Sequence, residues 1–336
     1  MSDTSANKAL ITGGAGFIGS ALANRLLEDG WHIKVLDNLS TGRKENIEDL
    51  LSNDHFEFIE HTVTDREVLS PLIEWCDHCY HLAAPVGVKY IMDNPVLTIL
   101  DNIRGIDAVL ELCNQHNKRV LTASTSEVYG KSLDLLDPTE QRKLKEDDNR
   151  VEGSTMNHRW AYANTKAMDE FLSLAYHKEH NLEVVVCRFF NTVGPHQLSN
   201  YGMVIPNFVE QALKNEPIKV FGDGLQKRSF MHVNDVIRAV IGLMHDDSAM
   251  GNVFNIGNPF EVTINYLAER IIELAGSSSQ LEHIPYEQAY GSGYEDMKRR
   301  TADISKLEAQ LSFEIEYDLD SILQDVIDYK REKISL

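Results

Sequence analysis

Along the first 195 residues, short apolar runs alternate with longer stretches in which an apolar residue recurs every three or four positions. KALIT, HIKVLDNLS, FEFIEHTVTD, CYHLAAPVG, LTAST and VVVCRFFNTVGP each read as a buried strand; the second brings Asp37 to its end, and the third ends at Asp65. Between them, Ala21, Leu22, Leu26 and Leu27 mark one face of a helix. A second helix over Thr98–Gln115 is marked by Asn102, Ile106, Val109, Leu110 and Cys113, and a third is expected from Ala161 to His177. Strand and helix in turn imply an α/β architecture, a doubly wound parallel sheet covered on both faces, with ligands at the carboxyl ends of its strands. Past Pro195 the alternation loosens. VIPNFVEQALKN, VNDVIRAVIGLM and INYLAERIIELAG still read as helices, but FGDGLQKRSFMHVNDV is polar and turn-rich. No repeat or low-complexity linker divides the chain. Residues 191–336 are therefore expected to form a smaller, mixed substrate region, interleaved with residues 1–190 and packed over the sheet as a lid.

The first strand runs into GGAGFIG. Gly14, Gly16 and Gly19 satisfy G-x-G-x-x-G, while Gly13, Gly16 and Gly19 give G-x-x-G-x-x-G. Such glycines let the backbone turn tightly and approach a pyrophosphate, which then rests on the positive end of the next helix. A glycine-rich turn is often only a turn, but this one has an apolar strand before it and an amphipathic helix after it. Asp37 follows Gly19 by eighteen residues, where an acid can bond the adenosine ribose hydroxyls and repel a 2′-phosphate. The segment predicts a Rossmann-like NAD site. Arg43 and Lys44 are the argument for NADP. Asp65 is placed as an adenine contact, and Ala83 and Ala84 are small enough to let the cofactor lie close.

Candidate chemistry concentrates between Leu121 and Lys166. LTAST delivers Ser124, Thr125, Ser126 and Glu127 to a strand end, with Thr125 and Glu127 two apart and hence expected on one side of the strand. Tyr162 and Lys166 sit four apart on one helical face. An ammonium beside a phenol favours the phenolate, and a threonine hydroxyl can donate to the same substrate oxygen. Alone, such a tyrosine–lysine pair is usually surface decoration. Behind a dinucleotide turn it is equipment for taking a proton from a sugar hydroxyl while a hydride leaves the carbon.

The formal net charge of -20 argues against nucleic-acid or anionic-membrane partners, which need a basic face. An anionic small substrate needs only local guanidinium forks, for which Arg228, in GDGLQKRSF, and Arg299 or Arg300, in KRRTADI, are candidates. The N-terminus has no charged-then-apolar leader and no run reaches membrane-spanning length, so a cytoplasmic protein is expected. Four cysteines fit a reducing compartment. Cys76 and Cys79 form a C-x-x-C without a second pair and read as packing, so no metal is expected.

As a set, TGGAGFIG, Asp37, HLAA, STSEVYG, YANTK and RFFNTVGP resemble the extended short-chain dehydrogenase/reductase family of nucleotide-sugar enzymes over nearly the whole chain. HLAAPVGVKYIMDNP, the T-S-E triplet, Arg159, NFVEQALKNEPIKVFGDGLQKRSF, GNPFEVTINYLAERIIELAGSSS and RRTADI are similar to its UDP-glucuronate decarboxylase (UDP-xylose synthase) branch; Ala302 stands where the family usually carries proline. The resemblance implies Tyr162 as general base, Lys166 as its partner and ribose contact, Thr125 as hydroxyl donor and Glu127 as acid/base near C5. It adds Phe17, Ile18, Asn38 and Asn102 to the NAD contacts. Ser126, Asn191, Arg228 and Arg300 become substrate contacts, Asn191 and Arg228 at the diphosphate and Arg300 near a sugar carboxylate. A homodimer is implied through paired helices, with Met168, Phe171, Leu172 and Ala175 in the seam. The implied reaction oxidises C4 of a UDP-sugar, loses CO₂ from the 4-keto acid and returns the hydride. A UDP-sugar 4-epimerase needs no Glu127, and a 4,6-dehydratase commonly wants an acid where Ser126 stands. A non-catalytic nucleotide-binding protein would be expected to have lost Tyr162 or Lys166; this chain keeps both.

Overall fold

The structure is a computed structural model in which residues 7–85, 94–135, 140–199, 203–285, 288 and 297–335 are described. Residues 86–93 of the HLAAPVGVKYIMDNP segment, and the Arg159 side chain, lie outside the described residues. In chain order β1 (Lys8–Thr12) is followed by α1 (Phe17–Glu28), β2 (His32–Asp37), β3 (Phe56–Glu60), α2 (Arg66–Trp75) and β4 (His78–His81). Next come α3 (Pro95–Gln115), β5 (Arg119–Thr125), α4 (Ala161–His180), β6 (Val184–Phe189), β7 (Asn191–Val193) and α5 (Val204–Leu213). Then follow β8 (Ile218–Phe221), β9 (Lys227–Arg228), β10 (Phe230–His232), α6 (Val233–His245), β11 (Val253–Ile256), β12 (Val262–Thr263) and α7 (Ile264–Ala275). The chain closes with β13 (Leu281–Ile284), β14 (Arg299–Arg300), α8 (Ser305–Leu311) and α9 (Leu319–Ser335).

Seven strands pair in parallel in the order β11-β6-β5-β4-β1-β2-β3. The central strands, covered on both faces, carry fully buried apolar runs, Ala9, Leu10 and Ile11 of β1 and Val184 to Cys187 of β6, whereas β3 at the edge leaves Glu57 and Glu60 exposed. Leu22 and Leu26 of α1 with Val236 and Val240 of α6 fill one side, and Leu69, Ile73, Ile106 and Val109 of α2 and α3 fill the other. A further core joins α5, α7 and α9 around Phe208, Leu267, Ile271 and Val326. The strand order reverses at β1, between β2 and β4, which opens a crevice at the strand ends.

Several boundaries differ from the sequence reading. β3 stops at Glu60, and Asp65 caps α2 instead of ending a strand. A polar side chain that can accept from the first free N–H groups is worth more at a helix start than in a ladder. β4 stops at His81, and α3 begins already at Pro95. The VVVCRFFNTVGP run is two strands: β6 ends at Phe189, and β7 pairs with β10 in a separate small sheet. FGDGLQKRSFMHV, expected as turns, holds β9 and β10, ladders of two and three residues that are too short for alternation to show. Glu127 is not on a strand. β5 ends at Thr125, and Ser126–Tyr129 form one 3₁₀ turn. No helix among the described residues is long and apolar enough to cross a membrane.

Candidate active site

A cavity of about 820 Å³ follows the carboxyl ends of β1 to β6 and is closed by the short strands beyond. At one end, Gly13 has φ +72°, and a Cβ there would lie 2.6 Å from the Ala83 nitrogen; one on Gly19 would lie 2.4 Å from the Gly13 carbonyl. The turn needs glycine at both positions. Gly16, Phe17 and Ile18 line this end, and α1 follows Gly16 with no side-chain cap and no acid in its first turn. Its first N–H groups and the helix dipole therefore face the cavity as an anion cradle. Asp37 and Asn38 at the end of β2, and Ala83 and Ala84 beyond β4, flank the turn on its two sides and line the same cavity. The Asp37 carboxylate accepts from Ala15 N at 3.0 Å and Leu39 N at 2.8 Å. Burial holds this carboxyl above its ordinary range, partly offset by those two bonds.

Two expected cofactor contacts are elsewhere. Asp65 is off the cavity, accepting from Glu67 N at 3.0 Å and Val68 N at 3.4 Å, while Thr62 and Thr64 line the wall. Asn102 is buried between helices, its Nδ2 donating to Thr165 Oγ1 at 3.1 Å. It braces α3 against α4 because an amide in that seam must spend its protons locally.

The middle of the cavity gathers Thr125, Ser126, Glu127, Tyr162 and Lys166. Thr125 starts the 3₁₀ turn, its Oγ1 accepting from Glu127 N at 3.2 Å, and the turn swings Glu127 back to the same wall. Strand parity points to that wall as well, but for the wrong reason. Lys166 does not stand as a lone cation beside Tyr162: its ammonium donates to Asp169 Oδ2 at 2.7 Å, both side chains being 3% exposed. The Tyr162 hydroxyl is accordingly held above its ordinary pKa, by burial first and then by the carboxylates of Glu127 and Asp169.

At the far end, β9 and β14 run parallel with Arg300 beside Arg228 and Arg299 beside Lys227. Alternate side chains leave opposite faces of these strands. Arg228 and Arg300 line the cavity, whereas Lys227 and Arg299 reach Glu261 at 3.0 and 3.1 Å. Arg300 is thus the inward member of its pair. It bonds Glu127 through one nitrogen and Asn191 Oδ1 through the other, at 2.5 Å; Asn191 Nδ2 in turn donates to the Ser229 carbonyl at 2.8 Å. Arg228 is seated by donating to the Lys227 carbonyl at 2.9 Å.

Some supporting residues escape a reading of the sequence. Arg188 of β6 grips Glu170 of α4 at 2.8 and 2.7 Å, and Ser124 donates to the same carboxylate. His81 Nδ1 bonds Thr12 Oγ1 at 2.8 Å, and burial and then the Lys166 charge push its pKa down to about 3, keeping the ring neutral. Asp169 alone carries a local signal, being three residues past Lys166 on the same helical face.

Residues 9–257 match the NAD dependent epimerase/dehydratase family. The chain belongs to that family. Among similar epimerase/dehydratase members is the UDP-N-acetyl-alpha-D-glucosaminuronate decarboxylase of Bacillus cytotoxicus, 36% identical over 97% of this chain and 98% of that protein. UDP-glucuronic acid decarboxylase 1 of Arabidopsis thaliana is 36% identical over 97% of this chain and 70% of its own length. Of solved structures, the UDP-glucuronic acid 4-epimerase from Bacillus cereus, in complex with UDP-glucuronic acid and NAD, superposes with a TM-score of 0.85 at 28% identity, covering 97% of this chain and 99% of that one. With these relatives, the chain is an NAD-dependent nucleotide-sugar enzyme of the epimerase/dehydratase family.

Proposed function

We propose that this enzyme decarboxylates UDP-glucuronate through a 4-keto intermediate, with NAD held throughout. The observation that carries the reading is the Glu127–Arg300 pair on the wall shared with Thr125, Tyr162 and Lys166. The NAD cradle fits the residues present, since the glycine turn leads into the uncapped start of α1 and the Asp37 carboxylate lines the same cavity, where it would meet the ribose. Bound there, NAD supplies a hydride acceptor and donor for the sugar C4. The chain's own groups do the rest. Tyr162 takes the 4-hydroxyl proton, Thr125 donates to that oxygen and Lys166 meets the ribose, general-base help worth ~10²–10⁴-fold. In the 4-keto acid the carboxylate is β to the ketone, so the bond to CO₂ breaks as its electrons enter an enolate. The Arg300 fork suits that carboxylate, and Glu127 can carry a proton at C5. Asn191 and Arg228 hold the diphosphate.

The decarboxylase relatives support this reading, while the likeness to the UDP-glucuronic acid 4-epimerase favours simple inversion at C4 as the second. Incubation with UDP-glucuronate separates them: release of CO₂ with UDP-xylose supports decarboxylation, and UDP-galacturonate without CO₂ supports epimerisation. We also infer a homodimer. Val96, Leu97, Leu100 and Ile103 on α3 and Met168 and Phe171 on α4 are exposed apolar residues that a second copy would cover. Of the expected seam, Leu172 is half-buried against the chain's own core.

A further inference from the structure

Asp169 belongs to none of the roles assigned above. It lies three residues past Lys166 on α4, and its Oδ2 accepts the Lys166 ammonium at 2.7 Å. Its other oxygen, Oδ1, is buried with no hydrogen-bond partner among the described residues. A purely structural ion pair is poorly served by that arrangement, because an unspent buried carboxylate oxygen carries its full desolvation penalty.

The charges around the pair largely cancel without it. Glu127 is bonded by Arg300, Glu170 is gripped by Arg188, and His81 on β4 is held neutral. Asp101 on α3 lines the same cavity but is exposed, so water screens it. The carboxylates that bear on Tyr162 are those of Glu127 and Asp169, and of the two only Asp169 is bonded to Lys166. With Lys166 and Asp169 both present, the local sum is near zero. With Lys166 alone it would be a buried cation beside a phenol.

We propose that Asp169 is a positioning residue for Lys166 which, by cancelling the ammonium charge, raises the pH at which Tyr162 acts as base. This rests on the reading of Tyr162 and Lys166 under the proposed function. Its value to the reaction is a stronger base: a phenolate of higher pKa pulls harder on the sugar hydroxyl, at the cost of being less populated at neutral pH. Lys166 donates one of its three protons to Asp169. Held this way, it meets the ribose from one direction.

The test compares wild type with Asp169→Asn, Asp169→Ser and Asp169→Glu. Two readouts are followed against pH: kcat with UDP-glucuronate, and the phenolate difference spectrum of each protein against its Tyr162→Phe counterpart, without added cofactor or substrate. Asp169→Asn keeps the acceptor and removes the charge, so both the acidic limb and the phenolate midpoint should move down by about one pH unit. Asp169→Ser should move them the same way if the amide fails to fold. Asp169→Glu restores the charge and should titrate as wild type. Folded variants whose limb and midpoint stay put or rise overturn the proposal, even if kcat and melting temperature fall together. So does a glutamate variant that shifts as the asparagine does. If Tyr162→Phe turns over normally, the base assignment has failed instead, and the phenolate titration still decides the role of Asp169.

Discussion

Two ion pairs sit side by side on α4, Lys166–Asp169 and Glu170–Arg188, both almost wholly removed from water. In the second, every strong acceptor is used: the guanidinium engages both oxygens of Glu170, Ser124 adds a third bond, and Arg188 also donates to the Glu146 carbonyl at 2.9 Å. Its ring-like plane lies over Tyr129, 4.7 Å from the centroid. In the first, one carboxylate oxygen is left over and the cation faces the cavity. A saturated pair ties β5, β6 and α4 together and has nothing left to give a ligand. An unsaturated one, at the cavity wall, retains capacity for chemistry. Under the proposed function, the contrast separates bracing from catalysis within one helix.

Breaking the saturated pair should have the largest effect. Arg188→Met leaves the Glu170 carboxylate buried without its cation and should cost about 3–5 kcal/mol in denaturant unfolding. A loss under ~1 kcal/mol, the range of an exposed pair, would erase the difference between bracing and catalytic pairs.

Acid should load the catalytic side next. His81, behind Lys166, is pushed to about 3, and His78 at the other end of β4 is pushed to about 4, chiefly by burial with His245 and Arg119 adding to it. A folded-state pKa below the ordinary 6.5 means that stability is fully present above that pH and is lost as pH falls toward the folded values. Between neutrality and pH ~4.5 the loss from His81 alone should be roughly 3 kcal/mol. Urea midpoints that do not fall over that interval would count against a neutral His81.

Glu127→Gln sharpens the comparison in the cavity itself, where Glu127–Arg300 is a third pair open to substrate. The fold and NAD binding should survive, while turnover of UDP-glucuronate drops by at least ~10²-fold. Wild-type turnover would favour the 4-epimerase reading. Outside all three pairs, Phe171→Lys should leave the monomer's stability nearly unchanged, since the ring is 64% exposed, yet halve the mass seen by sedimentation. An unchanged mass would place the second copy elsewhere or show that there is none.

Features set by neighbours in sequence are legible in the residues themselves. The glycine turn between strand and helix, Asp37 following it, and Tyr162 with Lys166 are local spacings, and local geometry follows from them directly. The apolar runs likewise announce a parallel sheet, because strands buried on both faces have little room for polar residues. Asp65 is misread from sequence because a strand end and a helix cap present the same acid after an apolar run. Glu127 reaches the expected wall through a 3₁₀ turn that alternation does not encode.

Other features depend on partners far along the chain. Arg300 faces the cavity and Arg299 faces Glu261 only because β14 pairs with β9 in one register. Glu127 meets Arg300 across 173 residues, and Arg188 meets Glu170 across a strand connection. By itself, the sequence determined the α/β fold, the dinucleotide turn and the tyrosine–lysine face, all products of spacing within a few helical turns. Tertiary structure alone decided which arginine points inward and which charges cancel, because pairing across a sheet is settled by topology and by the cost of leaving a buried charge unpartnered.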